Sequence, residues 1–456
     1  MADLKISKYN IFFEDYEGNM IAVNLLSRAI ARVNKEKYEK IKEILRDPNR
    51  EWKGEYEKLK RDLVFGRYLI EEQFDELQHL KMLNYTARFD RSSTTFTIMP
   101  TFECNFDCVY CYEKKTGPSM REETTQRIAN YICKVSERKR TIHIGWFGGE
   151  PLIEFDTIRL INEQVKKVCE ENKTNFSSSI STNGYLLDEK KALLFEELGI
   201  RNVQITLDGP PEFHDRYRPL KGGQGTFHVI FKNMSILLEE TESVMVTLRI
   251  NVGPDNYDSI SNLLDMFEDF PKSRMRVYFR WIFQGSEDNK EFHTKVREFR
   301  GYGREAFEKL AIFYMEALKR NFNVMLPILT HHMYCEYDSI SSILIGPRGE
   351  IYPCTVAVNE GEEIGRITEK GLEYDKVKYL NWHRLDPFED EKCRECILLP
   401  LCMGGCRYTR VRNGYRGCPE ERKAVESFAR LWYVVKKHEK QSKSQCLALN
   451  RESDEN

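Results

Sequence analysis

Alternating apolar and polar positions predict six strands in the middle of the chain. The six segments read TTFTIMP, TIHIGWF, SSSISTN, NVQITLD, VMVTLRINV and MRVYFRWIF, and they lie within residues 89–326. A helical pattern follows each segment, such as the apolar spacing of Ile128, Ile132 and Val135 after the first. Because strands that alternate with helices form parallel sheets, we expect an α/β fold in which six strand–helix units form an incomplete (β/α)6 barrel.

The residues ahead of this barrel predict a separate small module. Alternating apolar positions on both sides of a turn at residues 17–19 predict a β-hairpin. Two helical patterns follow, and Gly66 can end the second of them. A further acidic helix leads out of the module. We therefore assign residues 1–88 to a domain built from a hairpin and helices.

The regular alternation stops after about residue 326, and cysteines become frequent. The seven cysteines of this region are Cys335, Cys354, Cys393, Cys396, Cys402, Cys406 and Cys418. Loop-like sequence surrounds them, so we expect bound metal rather than a large apolar core to hold residues 327–430 together. Residues 431–456 are predicted to form a polar C-terminal tail.

Composition and charge narrow the classes of function. The chain has 456 residues and a formal net charge of -2. It is long enough for two or three domains, and this charge gives no reason to expect nucleic acid or a membrane as a partner. The sequence has neither an export signal nor a run of about 18 apolar residues. We expect a cytoplasmic protein, whose 13 cysteines then indicate metal sites rather than disulfides.

The stretch CNFDCVYCYE holds three closely spaced thiols, Cys104, Cys108 and Cys111. It follows the first predicted strand, and the motifs WFGGEP, STNG and LDGP end the next three. Because the carboxyl ends of parallel strands meet at one edge of a sheet, we expect all four segments on one rim, where the chemistry of such sheets collects. A zinc ion or an inorganic cluster normally has four thiolates, so three thiols leave one corner open.

The triplet spacing Cx3Cx2C, with an aromatic residue before the last cysteine and a GGEP-type motif after it, resembles radical SAM enzymes. The later cysteines, together with Gly349, are similar to the signature of the SPASM extension. Residues 1–88 resemble the winged-helix-like recognition element of enzymes that modify ribosomally made peptides. The resemblance implies a radical SAM barrel between an N-terminal leader-binding domain and a C-terminal SPASM domain with auxiliary iron–sulfur clusters.

The resemblance also implies the cofactors. Cys104, Cys108 and Cys111 would bind three irons of a 4Fe-4S cluster and leave the fourth iron for S-adenosylmethionine. One electron would cleave the S–C5′ bond of that molecule, and the resulting 5′-deoxyadenosyl radical would abstract hydrogen from the substrate. An electron donor such as flavodoxin or ferredoxin is therefore expected as a partner.

Residues on the same rim are expected to bind S-adenosylmethionine; they are Tyr110, Gly148, Gly149, Glu150, Ser181 and Asn183. The two glycines would let the backbone approach the methionine end, and the carboxylate of Glu150 would bind its ammonium group. The tyrosine would flank the adenine, and the serine and asparagine would bond the ribose. No catalytic residue is assigned.

The SPASM cysteines divide into two sets by the family pattern. Cys393, Cys396, Cys402 and Cys418 would fully ligate one auxiliary cluster, auxiliary cluster II. Cys335, Cys354 and Cys406 would hold the other, auxiliary cluster I, whose fourth iron would stay open. Together with the triplet, the resemblance implies three 4Fe-4S clusters.

An open iron on auxiliary cluster I predicts the product. Iron favours soft sulfur ligands, so a thiolate of the substrate would bind there and couple to the carbon radical. We expect a thioether crosslink in a ribosomally made precursor peptide whose leader docks on residues 1–88, as in sactipeptides and ranthipeptides. Glu336, Tyr337, Asp338 or water would otherwise fill the open position.

Other outcomes stay open at the level of sequence. Carbon–carbon crosslinking, epimerisation and formylglycine formation would all use the same fold. Sulfatase-maturing enzymes of this type place an aspartate after the cysteine of the Gly-x4-Cys element, whereas Thr355 follows Cys354 here. In a different class, the chain would be a peptide-binding scaffold without catalysis, with zinc in its cysteine clusters.

Two further groups of residues have structural interpretations. Asp208, His214, Asp215 and Arg218 in the stretch LDGPPEFHDRYR are expected to form a network that stabilises a loop. Cys133 and Cys169 lie on or beside apolar helical stripes and are expected to be small core residues. Neither group is assigned to the site.

Overall fold

The computed structural model describes residues 3–15, 17–113, 117–282, 290–326, 332–414, 416–419 and 424–453. These residues form a three-stranded sheet, a two-stranded sheet and one sheet of eleven strands. The largest sheet is mixed, with a long parallel part and an antiparallel extension. The α/β class expected from the sequence is confirmed.

The N-terminal module is built from short strands and three helices. Its elements are β1 Leu4–Ile6, β2 Asn10–Glu14, β3 Met20–Asn24, β4 Ala29–Val33, α1 Lys35–Arg46, α2 Glu55–Phe65, β5 Leu69–Glu71 and α3 Glu76–Phe89. Strands β2 and β3 form the predicted hairpin, with Phe13 opposite Ile21, and Gly66 caps α2. Strand β4 was not predicted, because every residue in it is half-buried and no apolar alternation marks it.

The central region contains all six predicted strands. Its elements are β6 Ser93–Ile98, α4 Glu122–Ser136, β7 Thr141–Trp146, α5 Phe155–Glu171, β8 Asn175–Thr182, α6 Glu189–Glu197, β9 Ile200–Thr206, α7 Pro211–Tyr217, α8 Phe227–Glu240, β10 Met245–Val252, α9 Ile260–Asp265, β11 Met275–Trp281, α10 Lys290–Arg300, α11 Arg304–Lys319 and β12 Asn323–Val324. Strands β6 to β12 lie side by side in chain order, and all are parallel.

The two faces of this parallel sheet differ in chemistry. On the outer face, residues such as Phe96, Ile144 and Leu248 are fully buried in the main core, to which the flanking helices also contribute. The other face, which we call the inner face, consists of residues joined by the strand register: Thr95, Thr97, His143, Gly145, Ser177, Ser179, Ser181, Asn202, Gln204, Thr206, Met245, Thr247, Arg249, Asn251, Arg276, Tyr278 and Arg280. The inner face is therefore almost entirely polar, as expected of a barrel that admits a substrate.

The C-terminal region continues the same sheet. Its elements are β13 Ser342–Ile345, β14 Glu350–Tyr352, β15 Gly365–Thr368, β16 Gly371–Tyr374, α12 Lys376–His383, α13 Glu391–Arg394, α14 Leu399–Cys402, α15 Arg407–Asn413 and α16 Val425–Ser453. Strand β13 lies parallel to β6, with Ile343 opposite Phe96, and β14 to β16 follow in antiparallel order. The predicted boundary after residue 326 adjoins residues 327–331, which lie outside the described residues. Strands from both sides of this boundary, β6 to β12 and β13 to β16, belong to one sheet.

Helix α16 contains most of the segment that was predicted to be a polar tail. The predicted tail at 431–456 begins inside this helix, and Leu431, Trp432 and Val435 are buried in the main core. The sequence did not indicate this packing because the polar residues that follow outnumber these apolar ones. Among the described residues, no helix combines the length and the apolar character that crossing a membrane requires.

Candidate iron–sulfur and cofactor sites

The rim at the carboxyl ends of β6 to β10 surrounds a cavity of about 150 Å³. Eight of the nine residues predicted for the cluster and S-adenosylmethionine line it: Cys104, Cys108, Cys111, Tyr110, Gly148, Gly149, Ser181 and Asn183. They come from three loops that are separated in sequence, as the parallel order of the strands predicts. The donor set fits the implied cofactors, because three thiols face a space bordered by backbone and by polar side chains.

Gly148 and Gly149 bring two loops of the rim into backbone contact. The amide of Gly149 donates to the carbonyl of Thr101 at 3.2 Å. A Cβ atom on Gly149 would lie 2.1 Å from the carbonyl oxygen of Glu103, which directly precedes Cys104. The loop after β7 therefore presses on the loop that carries the cysteine triplet, and only glycine allows this approach.

Glu150 does not line the cavity with the other eight residues. It is fully buried, and one of its carboxylate oxygens accepts hydrogen bonds from the amide of Leu152 at 3.0 Å and the hydroxyl of Thr182 at 2.6 Å. The other oxygen accepts from the amide of Asn183 at 2.7 Å. Burial raises the pKa of this carboxyl group, and the three donors oppose the shift. Glu150 thus fastens the end of β7 to the end of β8.

Tyr110 is held by a buried polar network. Its hydroxyl donates to the carboxylate of Asp208 and accepts from Arg218 Nη1 at 2.9 Å and from Asn251 Nδ2 at 3.1 Å. Burial raises the pKa of Tyr110 well above its usual value. The ring is therefore fixed in one orientation at the wall of the cavity, beside the thiols.

The network expected in LDGPPEFHDRYR is present, but one of its members belongs to the cavity. His214 Nδ1 accepts from the amide of Asp208 at 3.1 Å, and Asp215 accepts from the amides of Thr226 and Phe227. Arg218 instead lines the cavity, as do Gln204, Thr206, Arg249 and Asn251. Sequence reasoning missed Gln204 and Thr206 on β9 and Arg249 and Asn251 on β10. The alternation of side chains along these strands places all four on the inner face.

Ser181 and Asn183 line the cavity at the end of β8. The side-chain amide of Asn183 donates to Asn105 Oδ1 at 2.7 Å, directly beside Cys104. The hydroxyl of Ser181 accepts from Gln204 Nε2 at 3.4 Å. Burial raises the pKa of Cys104 to about 11, so the thiol keeps its proton until a metal displaces it.

The four cysteines predicted for auxiliary cluster II line a second cavity. Cys393, Cys396, Cys402 and Cys418 surround a space of about 340 Å³, and Lys392 and Arg416 also border it. Four thiols around a space larger than a single ion fit a 4Fe-4S cluster. The two cations offset the negative charge that four thiolates bring. Burial raises the pKa of Cys402 to about 12.

Asp390 connects the segments that carry these cysteines. It caps helix α13 by accepting from the amide of Cys393 at 3.2 Å. It also accepts from Arg416 Nε at 3.0 Å, close to Cys418, and from Arg410 Nη2 at 3.1 Å on α15, which follows Cys406. One carboxylate thus ties three cysteine-bearing segments together.

Cys335 and Cys406, two of the cysteines predicted for auxiliary cluster I, lie on segments that Asp338 joins, because Asp338 accepts from the amide of Cys335 and pairs with Arg407. Burial raises the pKa of Cys354 to about 11, and the nearby Cys406 adds to the rise. Cys354 in turn contributes to the raised pKa of Cys335. Tyr337 and Asp338, which the sequence offered as alternative ligands for the open iron of auxiliary cluster I, have other partners. Tyr337 donates to Thr97 Oγ1 at 3.3 Å, and Asp338 pairs with Arg407.

The alternative expected from the sequence is a zinc ion in the cysteine clusters. Zinc draws four ligands to about 2.3 Å or less. Within the described parts of the chain, no three or more His, Cys, Asp or Glu side chains are grouped so that they could hold one metal ion.

Comparison with known proteins gives a consistent result. The profile of the radical SAM superfamily matches residues 98–267. A serine-type anaerobic sulfatase-maturating enzyme of Bacteroides thetaiotaomicron is 32% identical over 355 residues, which are 69% of this chain and 83% of that protein. A cysteine-type anaerobic sulfatase-maturating enzyme of Clostridium novyi is 26% identical over 363 residues, 73% of this chain and 94% of that protein.

Two solved structures share the fold. Native anSMEcpe with bound AdoMet and the Kp18Cys peptide has a TM-score of 0.59 at 19% identity and covers 76% of this chain and 99% of its own. SuiB of Streptococcus suis bound to the precursor peptide SuiA has a TM-score of 0.51 at 15% identity and covers 89% of this chain and 95% of its own. Both structures contain a bound peptide.

Proposed function

This chain belongs to the radical SAM superfamily, and we propose that it forms thioether crosslinks from cysteine sulfur to carbon in a ribosomally made precursor peptide. It is a radical SAM enzyme with sulfatase maturases among its relatives and peptide modifiers among its structural neighbours. Enzymes of this superfamily use S-adenosylmethionine and a 4Fe-4S cluster. The observation that supports the proposal is that the cysteine triplet and the set of four cysteines each line a cavity of their own. The remaining set is Cys335, Cys354 and Cys406, which offers only three thiols.

The residues around the first cavity define the radical-forming site. When bound, the cluster and S-adenosylmethionine supply a 5′-deoxyadenosyl radical that removes a hydrogen atom from substrate carbon. Cys104, Cys108 and Cys111 would hold three irons of the cluster. Tyr110 cannot turn away, because Asp208 and Arg218 fix its hydroxyl. Ser181 and Asn183 offer polar groups in the same cavity.

The second step is assigned to auxiliary cluster I. Cys335, Cys354 and Cys406 would hold three irons, and a thiolate of the peptide would bind the fourth. The crosslink would remove one hydrogen atom from carbon, as 5′-deoxyadenosine, and one proton from the thiol, so the peptide loses about two hydrogens per bond. The electron left over when sulfur and carbon join would pass to auxiliary cluster I. Cys393, Cys396, Cys402 and Cys418 would hold auxiliary cluster II, for a total of three clusters. A flavodoxin or ferredoxin would supply electrons.

The N-terminal module is proposed to bind the leader of the precursor. SuiB, whose structure contains a precursor peptide, aligns over 89% of this chain. This share is larger than residues 89–456 alone would cover, so the shared fold includes part of residues 1–88. Residues 1–88 would form this domain, 89–326 the radical SAM core and 327–430 the SPASM domain. The core peptide would then enter along the inner face.

Formylglycine formation is the second candidate. The identity to sulfatase maturases over most of their length favours it. The presence of Thr355 after Cys354 disfavours it, because an aspartate stands at that place in the sulfatase-maturing enzymes that this chain resembles. Carbon–carbon crosslinking and epimerisation would leave every thiol of the peptide intact.

One experiment separates these products. The protein would be reconstituted without oxygen and incubated with S-adenosylmethionine, dithionite and a cysteine-rich peptide encoded beside its gene. We expect 5′-deoxyadenosine, a loss of about two hydrogens per crosslink and fewer thiols that can be alkylated. Cys108→Ala should abolish all three signals, whereas Cys133→Ala, outside every predicted set, should preserve them. A crosslinked peptide with all thiols free, or an aldehyde in place of a thiol, would overturn the thioether proposal.

A further inference from the structure

Both polar atoms of the Asn183 side chain are engaged within the chain. Its oxygen accepts a hydrogen bond from the backbone amide of Tyr185 at 2.9 Å, and its nitrogen donates to Asn105 Oδ1 at 2.7 Å. The residue is only 6% exposed. The sequence predicts that Asn183 binds the ribose of S-adenosylmethionine, but an amide held at both ends is poorly placed to turn towards a sugar hydroxyl.

The second hydrogen of this amide nitrogen has a sulfur atom within reach. Asn183 Nδ2 lies 3.9 Å from Cys104 Sγ, in the geometry of a hydrogen bond. Since a side-chain amide nitrogen carries two hydrogens, Asn183 can donate to Asn105 and to Cys104 at the same time. The backbone amide of Phe106 donates to the same sulfur at 3.4 Å. Cys104 thus has one N–H donor from its own loop and another from the loop after β8.

Asn105 fixes the direction of the Asn183 amide. Its Oδ1 atom accepts from Asn183 and lies 3.9 Å from Cys104 Sγ, so the three side chains form one compact group. The nitrogen of the Asn105 amide is buried and has no hydrogen-bond partner among the described residues. A buried donor of this kind indicates an acceptor that a bound group supplies, and the sulfur atoms of an iron–sulfur cluster accept such bonds.

The backbone beside the Asn183 amide is held equally firmly. The backbone N–H of Asn183 donates to Glu150 Oε2 at 2.7 Å, and the hydroxyl of Thr182 donates to the other oxygen of that carboxylate at 2.6 Å. The amide of Gly184 in turn donates to Thr182 Oγ1 at 3.0 Å. Asn183 therefore needs little reorganisation to keep its N–H on the sulfur, and fixed donors of this kind stabilise charge most effectively.

We propose that Asn183 acts on the 4Fe-4S cluster of the cysteine triplet, which we call the SAM cluster, rather than on the ribose: it donates a hydrogen bond to the sulfur of Cys104 and makes this cluster easier to reduce. Reduction adds negative charge that the sulfur ligands share, so an N–H donor stabilises the reduced state more than the oxidised state. Asn183 is thus a positioning residue that acts through Cys104. The proposal requires only the SAM cluster and is independent of the bond formed in the peptide.

Potentiometric titration tests the proposal. The protein is reconstituted without oxygen, and electron paramagnetic resonance follows the reduced SAM cluster as the signal whose shape changes when S-adenosylmethionine is added. Asn183→Ala removes the donor, and we expect the midpoint potential to fall by about 60 mV, which is tenfold in the equilibrium constant for one electron. Affinity for S-adenosylmethionine, measured by equilibrium dialysis without reductant, should change by less than about threefold, because no hydrogen bond to the ribose is lost.

Ser181→Ala is the matched control. Ser181 lines the same cavity and has the same predicted contact to the ribose, but its hydroxyl has its hydrogen bond with Gln204. We expect this variant to keep the midpoint potential of the unaltered protein. An equal fall in both variants would show a general effect of altering this part of the cavity, and it would overturn the proposal.

Asn183→Asp is a second variant for the case that the alanine variant does not assemble the cluster. It keeps the size of the side chain and the acceptor for the Tyr185 amide, but it lacks the N–H donor. The potential should fall at least as far as expected for Asn183→Ala, because the carboxylate also repels the added electron. An unchanged potential in either variant would overturn the proposal. So would a loss of affinity for S-adenosylmethionine of about tenfold in Asn183→Ala, the result expected of a lost ribose contact.

Failure of this proposal and failure of the proposed function give different results. An unaltered protein whose reduced signal does not respond to S-adenosylmethionine would contradict the proposed radical-forming site itself. A responsive signal whose potential is indifferent to Asn183→Ala would refute only the hydrogen bond to Cys104 and leave the proposed function standing.

Discussion

Arg407 and Asp338 form a buried ion pair that joins the two segments carrying Cys406 and Cys335. Arg407 directly follows Cys406, and its Nε donates to Asp338. Arg407 Nη1 also donates to the carbonyl of Trp382 at 2.8 Å. The second carboxylate oxygen of Asp338 accepts from the amide of Cys335 at 3.2 Å. The pair therefore fixes two of the three thiols proposed for auxiliary cluster I relative to each other.

Removing one partner of this pair should destabilise the C-terminal region. Arg407→Gln leaves the carboxylate of Asp338 buried without its cation, which costs about 3–5 kcal/mol. We expect a lower thermal midpoint and the loss of about four irons, measured by calorimetry and iron analysis. Arg412→Gln, which breaks an exposed pair with Glu362, should cost less than about 1 kcal/mol and retain all iron. Full iron content in Arg407→Gln would show that the pair does not position the thiols.

Removing Asp390 should release the iron of auxiliary cluster II, as removing Arg407 should release that of auxiliary cluster I. Asp390→Ala removes the cap of α13 and the anchor of Arg410 and Arg416 together. We expect iron to fall from about twelve to about eight per chain. Asp188→Ala is the matched control, because Asp188 caps α6 by the same type of bond, to the amide of Lys191, and lines neither of the two cysteine-bearing cavities.

The same variant should leave the radical-forming site intact. Reductive cleavage of S-adenosylmethionine by Asp390→Ala should continue in the absence of peptide, because the triplet lies on another loop. If Asp188→Ala lost as much iron as Asp390→Ala, the effect would be a general consequence of losing a helix cap. Electron paramagnetic resonance then distinguishes which cluster signal is missing.

Gly149→Ala should separate the two loops of the rim. The new methyl group would lie 2.1 Å from the carbonyl oxygen of Glu103, so the backbone has to move, at a cost of about 1–3 kcal/mol or more. We expect affinity for S-adenosylmethionine, measured by calorimetric titration, to fall at least about tenfold. Gly145→Ala on the adjoining strand is the control, since its methyl group would meet Ser179 Oγ at an ordinary 3.5 Å. Equal affinity of both variants would contradict this role.

Trp432 should anchor the last helix. It is 1% exposed within α16, whereas Lys437 on the same helix is exposed. Trp432→Ala should lower the free energy of unfolding by about 3–5 kcal/mol, because it removes a large buried side chain. Lys437→Ala should change it by less than about 0.5 kcal/mol. Chemical denaturation of the two variants checks this, and similar values would mean that the helix contributes little to the core.

The elements that sequence patterns predicted are those with regular local signals. All six predicted strands follow their apolar runs, and the hairpin follows its alternation. The rim could be predicted as well, because parallel strands necessarily bring their carboxyl ends together. Eight of nine expected residues consequently surround one cavity, although binding by these residues stays a prediction.

Contacts between distant segments could not be predicted in this way. Nothing in the short run SILI indicates that β13 pairs with β6 rather than closing a separate domain. The role of Glu150 was equally hidden, since its three donors come from two different loops. Both the strand pairing and the hydrogen bonds of Glu150 depend on tertiary packing, which the local sequence does not indicate.

The pairing of β6 with β13 has a consequence for how the protein is made. The ribosome completes β6 early, but the strand that covers its edge emerges only after all the remaining parallel strands. During most of synthesis the nascent chain therefore exposes an unpaired backbone edge, which invites association with other chains. We therefore expect this edge to need shielding until translation has passed residue 345, so expression with additional chaperones should raise the yield of native protein.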